Sequence, residues 1–202
     1  MSDMQKMKPR FTTYLLMPMP HNPITTTLHG VFLDVLGIGV LLRGDSGIGK
    51  SELALSLVNR GHRLIADDAV DFTKIDADTI MGSCPELLQD FLEVRGLGIL
   101  NIRVMYGDSA IKNNKRLQLI VKVAIFPNEE LTKIDRLHGV YKEQNILDVN
   151  IPQVTIPIAP GRNLSVLIES AVRNQILKNT GYNASEDFIN RQHNLLNKNH
   201  ER

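Results

Sequence analysis

The sequence predicts a domain of the α/β or α+β class, built on a mixed rather than an all-parallel sheet. Short apolar runs recur through the middle of the chain, and residues 117–126 alternate between apolar and polar side chains. A period of two is typical of a half-buried strand. Apolar residues at helical spacing follow in residues 164–177. Strands therefore outnumber long helices until the last part of the chain.

The individual elements are predicted from the same patterns, in chain order. Residues 1–24 carry four prolines and are expected to form a lead-in or linker before a compact domain spanning residues 25–202. We predict strands at Val31–Val35, Ile38–Arg43, Arg63–Ala66, 117–126 and 154–158, and helices at 51–59, 85–92, 164–177 and 184–196. Residues 96–100 are expected to form a glycine-rich loop, and Pro157 indicates an edge position in its strand.

Composition narrows the class of protein. The 202 residues suffice for one domain with a sizeable core, and the formal net charge of +1 gives no electrostatic reason to expect nucleic acid or a membrane as partner. No apolar run is long enough to span a bilayer, and the first residues lack the apolar core of a signal peptide. Cys84 is the only cysteine, so no internal disulfide can form. We expect a cytoplasmic protein.

A phosphate-binding loop follows the second predicted strand. The pattern G-x-x-x-x-G-K-[ST] is matched by Gly44, Asp45, Ser46, Gly47, Ile48, Gly49, Lys50 and Ser51. Its glycines let the backbone curl around phosphate oxygens, and the next helix turns its positive end toward them. Lys50 would reach the β- and γ-phosphates, and the Ser51 hydroxyl could ligate Mg²⁺. The strand before the loop and the helix after it are the context that this motif requires.

The remaining candidate residues are ambiguous on spacing alone. Asp67 and Asp68 end the strand after the loop's helix, but adjacent residues point to opposite faces, so spacing does not say which one faces the phosphates. Glu93 could hold Mg²⁺ or form a surface salt bridge with Arg95. A lone His29 is more often structural than catalytic, and Arg136 would pass as an ordinary surface charge.

Longer blocks resemble one family. They are TLHGV at 27–31, GDSGIGKSE at 44–52, GHRLIADD at 61–68, LEVRGLGI at 92–99, DRL at 135–137 and PGRN at 160–163. In this order they resemble the catalytic domain of the bacterial HPr kinase/phosphorylase family, over residues 25 to about 196. The resemblance implies a P-loop kinase domain of the phosphoenolpyruvate-carboxykinase-like type, with a mixed sheet and C-terminal helices.

The resemblance also implies an activity. Family members use ATP and Mg²⁺, or in some cases pyrophosphate, to phosphorylate a serine of the phosphocarrier protein HPr. They remove that phosphate by phosphorolysis, in which inorganic phosphate attacks and pyrophosphate leaves. Family members assemble as hexamers. Their separate N-terminal domain has no counterpart in residues 1–24, so we expect this chain to hold the catalytic domain without it.

Roles carried over residue by residue give a candidate site. Asp67 would take the serine proton and return it in the reverse reaction, with His29, Lys50 and Arg136 as further catalytic residues. Ser51 and Glu93 would hold Mg²⁺, and Asp68 would lie beside the metal and its waters. A segment that serves mainly dephosphorylation would comprise Pro157, Ile158, Ala159, Pro160, Gly161 and Arg162. Ala159 stands where some members carry a basic residue.

Two other functions are compatible with a phosphate-binding loop. One is a small-molecule or carboxykinase-like phosphotransferase, which would phosphorylate a metabolite and not an HPr-sized acceptor. The other is a nucleotide-binding regulatory module without transfer chemistry, in which an Asp67→Asn variant would behave normally. The kinase interpretation instead predicts that this variant keeps nucleotide binding and loses transfer.

Overall fold

The computed structural model describes residues 23–200. Most of the expected lead-in, residues 1–22, therefore lies outside the described part. The strands are β1 Thr25–His29, β2 Val31–Val35, β3 Ile38–Arg43, β4 Arg63–Ala66, β5 Ala69–Lys74, β6 Ile80–Ser83, β7 Phe91–Val94, β8 Gly98–Asn101, β9 Asn114–Ile125, β10 Tyr141–Ile146 and β11 Val149–Ile158. The helices are α1 Lys50–Asn59, α2 Ile102–Tyr106, α3 Asn128–Leu131, α4 Leu164–Asn179 and α5 Ala184–His200.

The main sheet is mixed, as predicted. Strands β3, β9 and β11 run parallel, with β9 between the other two. The antiparallel strands β2 and β4 extend one side, and β10 pairs antiparallel with β11 on the other. Because β3, β9 and β11 are parallel, their carboxyl ends lie at one edge of the sheet. Ligand-binding groups of such sheets collect at this edge.

Strand β9 belongs to two groups of strands. Its first residues, Asn114 to Arg116, pair antiparallel with β6, whereas its later residues pair with β3 and β11. Strands β6, β5 and β1 continue this antiparallel part. Its apolar side chains pack on one face of the parallel strands, where Phe32 and Phe72 meet edge to face with ring centroids 5.4 Å apart.

Helices α1 and α4 cover the opposite face. Apolar side chains of both helices, such as Leu57 and Ile168, lie fully buried with residues of β3, β9 and β11. The Ser56 and Ser165 hydroxyls join the two helices at 2.8 Å. No helix between residues 23 and 200 has the length and apolar character needed to cross a bilayer.

The predicted elements are largely confirmed, with one region wrong. Instead of a helix at 85–92, the structure has a single 3-10 turn at Glu86–Leu88 followed by β7, whose side chains alternate between exposed and buried. The expected loop at 96–100 is partly the strand β8, which pairs with β7 across a turn at residues 95–97. Pro157 does lie at an open edge, since β10 pairs with β11 only as far as Val154.

Candidate active site

The loop at residues 44–51 begins where β3 ends and leads into α1. Gly44 lies against β9: a side chain there would place its Cβ 2.6 Å from the Val123 carbonyl oxygen. Gly47 and Gly49 adopt positive φ angles of 76° and 92°, which favour glycine. Glycine is thus required by contact at one position and by backbone conformation at the other two.

Lys50 folds back over this loop. Its Nζ donates to the carbonyl oxygens of Gly44 and Asp45, both at 3.0 Å. Since an ammonium group has three N–H donors, one remains for a phosphate oxygen. The loop backbone itself therefore positions the cation that the sequence assigned to phosphate binding.

Asp67 lies at the end of β4 and faces the loop. The residue is only 7% exposed, and its carboxylate accepts hydrogen bonds from the Ser51 hydroxyl at 3.2 Å and the Glu93 backbone N–H at 3.0 Å. Burial raises the pKa of the Asp67 carboxyl above its ordinary value of 3.8, and these hydrogen bonds oppose the rise. A carboxylate with a raised pKa is a better proton acceptor than an exposed one.

Asp68 turns away from its neighbour. It adopts a left-handed conformation with φ of 65°, and its side chain is 82% exposed. The pairing of β1 with β5 brings His29 close, so that its Nδ1 lies 3.7 Å from the Asp68 carboxylate. The Gly30 N–H also donates to the Asp68 carbonyl oxygen at 3.1 Å. Asp67 is thus buried and Asp68 is exposed, although both lie at the same cavity, and spacing alone could not establish this difference.

A cavity of about 180 Å³ joins these groups. It is lined by Ser46, Gly47, Gly49, Lys50, Ser51, Glu52, Asp67, Asp68, Glu93 and Arg95. Two of these residues, Glu52 and Arg95, were not assigned to the site from the sequence. Glu52 directly follows the loop motif, and Arg95 lies in the block LEVRGLGI, so the sequence contained a feature that could have indicated each of them. The alternative salt bridge between Glu93 and Arg95 does not occur within residues 23–200.

The cavity's donor atoms suit Mg²⁺. The cavity offers hard oxygen ligands, namely the carboxylates of Asp67, Asp68 and Glu93 and the hydroxyl of Ser51. Mg²⁺ commonly binds one or two carboxylates and completes its coordination shell with phosphates and water. Among residues 23–200 no group of three acidic, histidine or cysteine side chains is arranged to hold a metal without such help. The residues present therefore fit a metal that arrives with a phosphate ligand.

Arg136 lies outside this cavity. It is exposed in the turn before β10, where Asp135 accepts bonds from the backbone N–H groups of Leu137 and His138. The Ser185 hydroxyl fastens the same turn to the start of α5 by donating to the Leu137 carbonyl oxygen at 2.6 Å. The structure does not bring Arg136 together with Lys50 and Asp67.

The segment of residues 157–162 lies at the carboxyl end of β11. It therefore leaves the sheet at the same edge as the phosphate-binding loop. Pro157 and Ile158 end the strand, while Ala159, Pro160, Gly161 and Arg162 form the connection to α4. Asn163 then begins α4 by accepting a bond from the Val166 N–H at 3.2 Å. None of these residues lines the cavity around Lys50.

The fold and the site together define a mixed α/β domain in which a glycine-rich loop of the phosphate-binding type faces a buried carboxylate. The profile described as HPr Serine kinase C-terminal domain matches residues 23–192. The chain belongs to this family. The resemblance found in the sequence is thereby confirmed.

Named relatives agree with this assignment. The chain is 51% identical over 173 residues to the HPr kinase/phosphorylase of Chromobacterium violaceum, covering 86% of this chain and 54% of the relative. It is 54% identical over 172 residues to that of Xanthomonas campestris pv. campestris, covering 84% and 54%. The chain thus spans about half the length of these curated relatives.

A solved structure has the same fold. The Hpr(Ser) kinase/phosphatase of Coxiella burnetii superposes with a TM-score of 0.71 at 37% identity. The match covers 81% of this chain and 98% of that one.

Proposed function

We propose that this chain is a protein-serine kinase/phosphorylase domain that phosphorylates a serine of HPr with ATP and reverses the reaction by phosphorolysis. The observation that carries the proposal is the buried Asp67 carboxylate, 3.2 Å from Ser51, on the wall of the cavity that Lys50 also lines. Family membership supplies the acceptor, because the matched relatives are named for HPr. We further infer that residues 25–202 form a P-loop kinase unit of the phosphoenolpyruvate-carboxykinase-like type.

In the forward direction Asp67 would accept the proton of the acceptor serine. The serine oxygen then forms its bond to the γ-phosphorus as the bond from that phosphorus to the bridging oxygen breaks, and ADP leaves. Lys50 and the loop amides would balance the negative charge on the phosphate oxygens. Mg²⁺, held by Ser51 and Glu93 with Asp68 beside it, supplies further charge neutralisation when bound.

In the reverse direction the same groups would work in the opposite order. An oxygen of inorganic phosphate attacks the phosphorus of the phosphoserine, and the bond from that phosphorus to the serine oxygen breaks. Asp67 returns its proton to the serine oxygen, and pyrophosphate leaves. The raised pKa of Asp67 favours both steps, because the carboxyl must hold and release a proton in one site.

The Ser51 hydroxyl is suited to changing partners. Its distances of 3.2 and 3.4 Å to the two Asp67 oxygens are long for an O–H···O bond, so this interaction is weak. A metal or a phosphate oxygen can therefore replace Asp67 as the partner of the Ser51 hydroxyl at little cost in free energy. This exchange would leave Asp67 with one fewer hydrogen bond when the acceptor arrives.

His29 and Arg136 are part of the proposal through the family resemblance. His29, 3.7 Å from Asp68, would act at the acceptor side of the loop. Arg136 would stabilise charge on the transferred group after movement of its turn, and residues 157–162 would serve dephosphorylation at the same edge of the sheet.

We also propose a cytoplasmic, hexameric enzyme. Burial raises the pKa of the Cys84 thiol to about 11, so this cysteine is an unreactive thiol at neutral pH, in keeping with a reducing compartment. Large apolar side chains are exposed around β7, β8 and α2, among them Leu97, Ile99 and Val104, which supports burial of this surface by another subunit. Light scattering of the purified chain would measure its mass.

The decisive experiment incubates the chain with γ-labelled ATP, Mg²⁺ and HPr, and then adds inorganic phosphate. We expect label on a serine of HPr and its later release as pyrophosphate. Folded chain that labels a metabolite instead would be a small-molecule phosphotransferase. Folded chain that binds ATP and labels no acceptor would be a regulatory module.

A further inference from the structure

The hairpin formed by β7 and β8 carries two residues that line the candidate site. Glu93 lies on β7, and Arg95 lies in the turn at the tip, residues 95–97. Within residues 23–200, β7 and β8 pair only with each other and with no strand of the main sheet. A two-stranded hairpin is at best marginally stable by itself. Other contacts must therefore hold Glu93 and Arg95 at the cavity.

Contacts along β7 fix the middle of this hairpin. Leu92 and Val94 are buried in the core that also contains residues of α1. Between them, the Glu93 backbone N–H donates to the Asp67 carboxylate at 3.0 Å. The tip at residues 95–97 is exposed. The direction in which the tip points therefore depends on how the opposite end, the base of the hairpin, is held.

Arg103 closes this base. It is the second residue of α2, which begins directly after β8, and its guanidinium binds both carboxylate oxygens of Asp90, the residue directly before β7. Nε lies 2.6 Å from Oδ2, and Nη2 lies 3.0 Å from Oδ1. The Ile102 backbone N–H also donates to the Asp90 carbonyl oxygen at 2.8 Å. A bidentate pair fixes orientation as well as distance, so it joins the entering and leaving segments in one geometry.

The backbone of Asp90 gives a second reason to connect Arg103 with the hairpin. Asp90 has a φ of 71°, in the left-handed region that few residues other than glycine adopt. Its side chain is only 18% exposed. An uncommon backbone conformation persists where surrounding contacts hold it. Arg103 thus holds the bend from which β7 starts.

The same guanidinium connects the hairpin to β4. Its Nη1 donates to the carboxylate of Asp108, which opens a 3-10 turn at Asp108–Ala110. Two residues after this turn, the Lys112 backbone N–H donates to the carbonyl oxygen of Leu64, in β4, at 2.9 Å. Since β4 leads directly to Asp67, Arg103 ties the hairpin to a segment that is itself fixed to the strand before the buried acid.

We propose that Arg103 is a positioning residue of the nucleotide site, which sets the place of Arg95 and Glu93 relative to the phosphate-binding loop. Arg103 does not line the cavity, so it acts through the hairpin. The inference deepens the proposed function, since it concerns the same site. It requires binding of nucleotide phosphates and no transfer to HPr. A chain that binds ATP and labels no acceptor would therefore contradict the proposed function and leave this inference standing.

Calorimetric titration of the whole chain with ATP and Mg²⁺ tests the proposal, at a temperature where circular dichroism shows every variant to be folded. We expect Arg103→Met to weaken ATP binding roughly three- to tenfold, because a small displacement of a phosphate-binding group is costly. In an Arg95→Ala background the same change should weaken binding less than about twofold, because both changes remove one shared contribution.

Arg191→Met is the matched control. Arg191 makes the same two-pronged pair with Asp187 inside α5, at 2.9 and 2.8 Å, and does not line the cavity. Its replacement should leave ATP affinity unchanged. Arg103→Lys keeps the charge but lacks the planar fork, so it should restore part of the affinity. If Arg103→Met fails to fold, Arg103→Lys serves in the same comparison, with binding weakened roughly two- to threefold.

A spectroscopic measurement reports the hairpin directly. In amide spectra of the ¹⁵N-labelled chain, Arg103→Met should shift the backbone signal of Glu93, whose N–H bonds to Asp67, and the signal of Arg95. The signal of Leu57, buried in α1, should stay in place.

Two results would overturn the proposal. Folded Arg103→Met that binds ATP as tightly as Arg191→Met does would make Arg103 a stabilising residue only. An equal loss of affinity with and without Arg95 would show that Arg103 acts apart from the tip of the hairpin.

Discussion

The Ser51 hydroxyl lies 3.2 Å from the Asp67 carboxylate, although the two residues belong to different elements, α1 and the end of β4. This contact joins the phosphate-binding loop to the buried acid. It depends on β4 and β3 both pairing with β2, which brings the end of β4 beside the loop.

Replacing Asp67 tests its role as the proton acceptor. We expect Asp67→Asn to lower phosphoryl transfer to HPr roughly a hundred- to ten-thousand-fold, because an amide cannot accept the serine proton. ATP affinity, measured by calorimetry, should stay within a few-fold. Asp148→Asn is a matched control at an exposed position with positive φ, which asparagine tolerates. Normal transfer by Asp67→Asn would remove Asp67 from the mechanism.

The raised pKa of Asp67 also predicts a pH dependence of stability. The folded chain binds this proton more tightly than the unfolded chain, whose carboxyl titrates near 3.8. The contribution is therefore fully present below pH 3.8 and declines as the pH rises through the folded-state pKa. At neutral pH Asp67→Asn should unfold at an equal or higher temperature than the original chain. Marked destabilisation at neutral pH would contradict the burial argument.

The lowered pKa of Glu169 predicts the opposite dependence of stability on pH. Its hydrogen bonds from Arg60, with a further contact to His62, hold the pKa of this carboxyl at about 2, against an ordinary value of 4.5. Glu169→Gln should lower the free energy of unfolding by about 1–2 kcal/mol at neutral pH, after allowance for solvent screening. The loss should disappear as the pH falls from 4.5 to about 2. Urea titrations measure it, and Glu143→Gln, exposed on β10, is the control.

Gly44→Ala tests the close approach of the loop to β9. The new Cβ would lie 2.6 Å from the Val123 carbonyl oxygen, a backbone atom that cannot move without disturbing the sheet. We expect a loss of roughly 1–3 kcal/mol in unfolding free energy together with weaker ATP binding. Unchanged denaturation and unchanged calorimetric affinity would show that the loop adapts without strain.

Arg95 is expected to contribute to phosphate binding. It lines the cavity, and its guanidinium nitrogens lie 3.6 Å from the position of a Cβ on Gly47. Arg95→Ala should weaken ATP binding roughly tenfold through loss of a charge-assisted hydrogen bond. The control Arg173→Ala lies on the exposed side of α4 and should leave the affinity unchanged. Equal affinities for both variants would place Arg95 outside the nucleotide site.

The sequence predicted the parts of the fold that local patterns determine. The strand before Gly44, the helix after it, and α4 and α5 all have strong periodicity or a motif, and they were located correctly. The hairpin of β7 and β8 was missed because its four-residue strands are too short for period two to stand out from a helical pattern. Strands β1, β5, β6 and β10 depend on pairing with distant residues, which local patterns do not reveal.

The residues of the candidate site also fall into those that a local pattern predicts and those that it does not. Lys50 and Ser51 could be located from the motif, since its spacing reflects how a backbone surrounds phosphate. The buried setting of Asp67 and the exposed setting of Asp68 arise from a turn with positive φ, which spacing does not encode. Arg95 reaches the cavity only because β7 pairs with β8 and places the turn after Val94 near Gly47.

The dual membership of β9 has a consequence for folding. A single backbone of 12 residues supplies hydrogen bonds to β6 at one end and to β3 and β11 at the other. The two groups of strands are joined through this one backbone and also share the buried apolar side chains around Phe32 and Phe72, so the domain should lose both in one cooperative transition. Deleting one residue within β9 would move the side chains after the deletion to the opposite face of the sheet. The number of residues in β9 is therefore the length that the fold tolerates changing least.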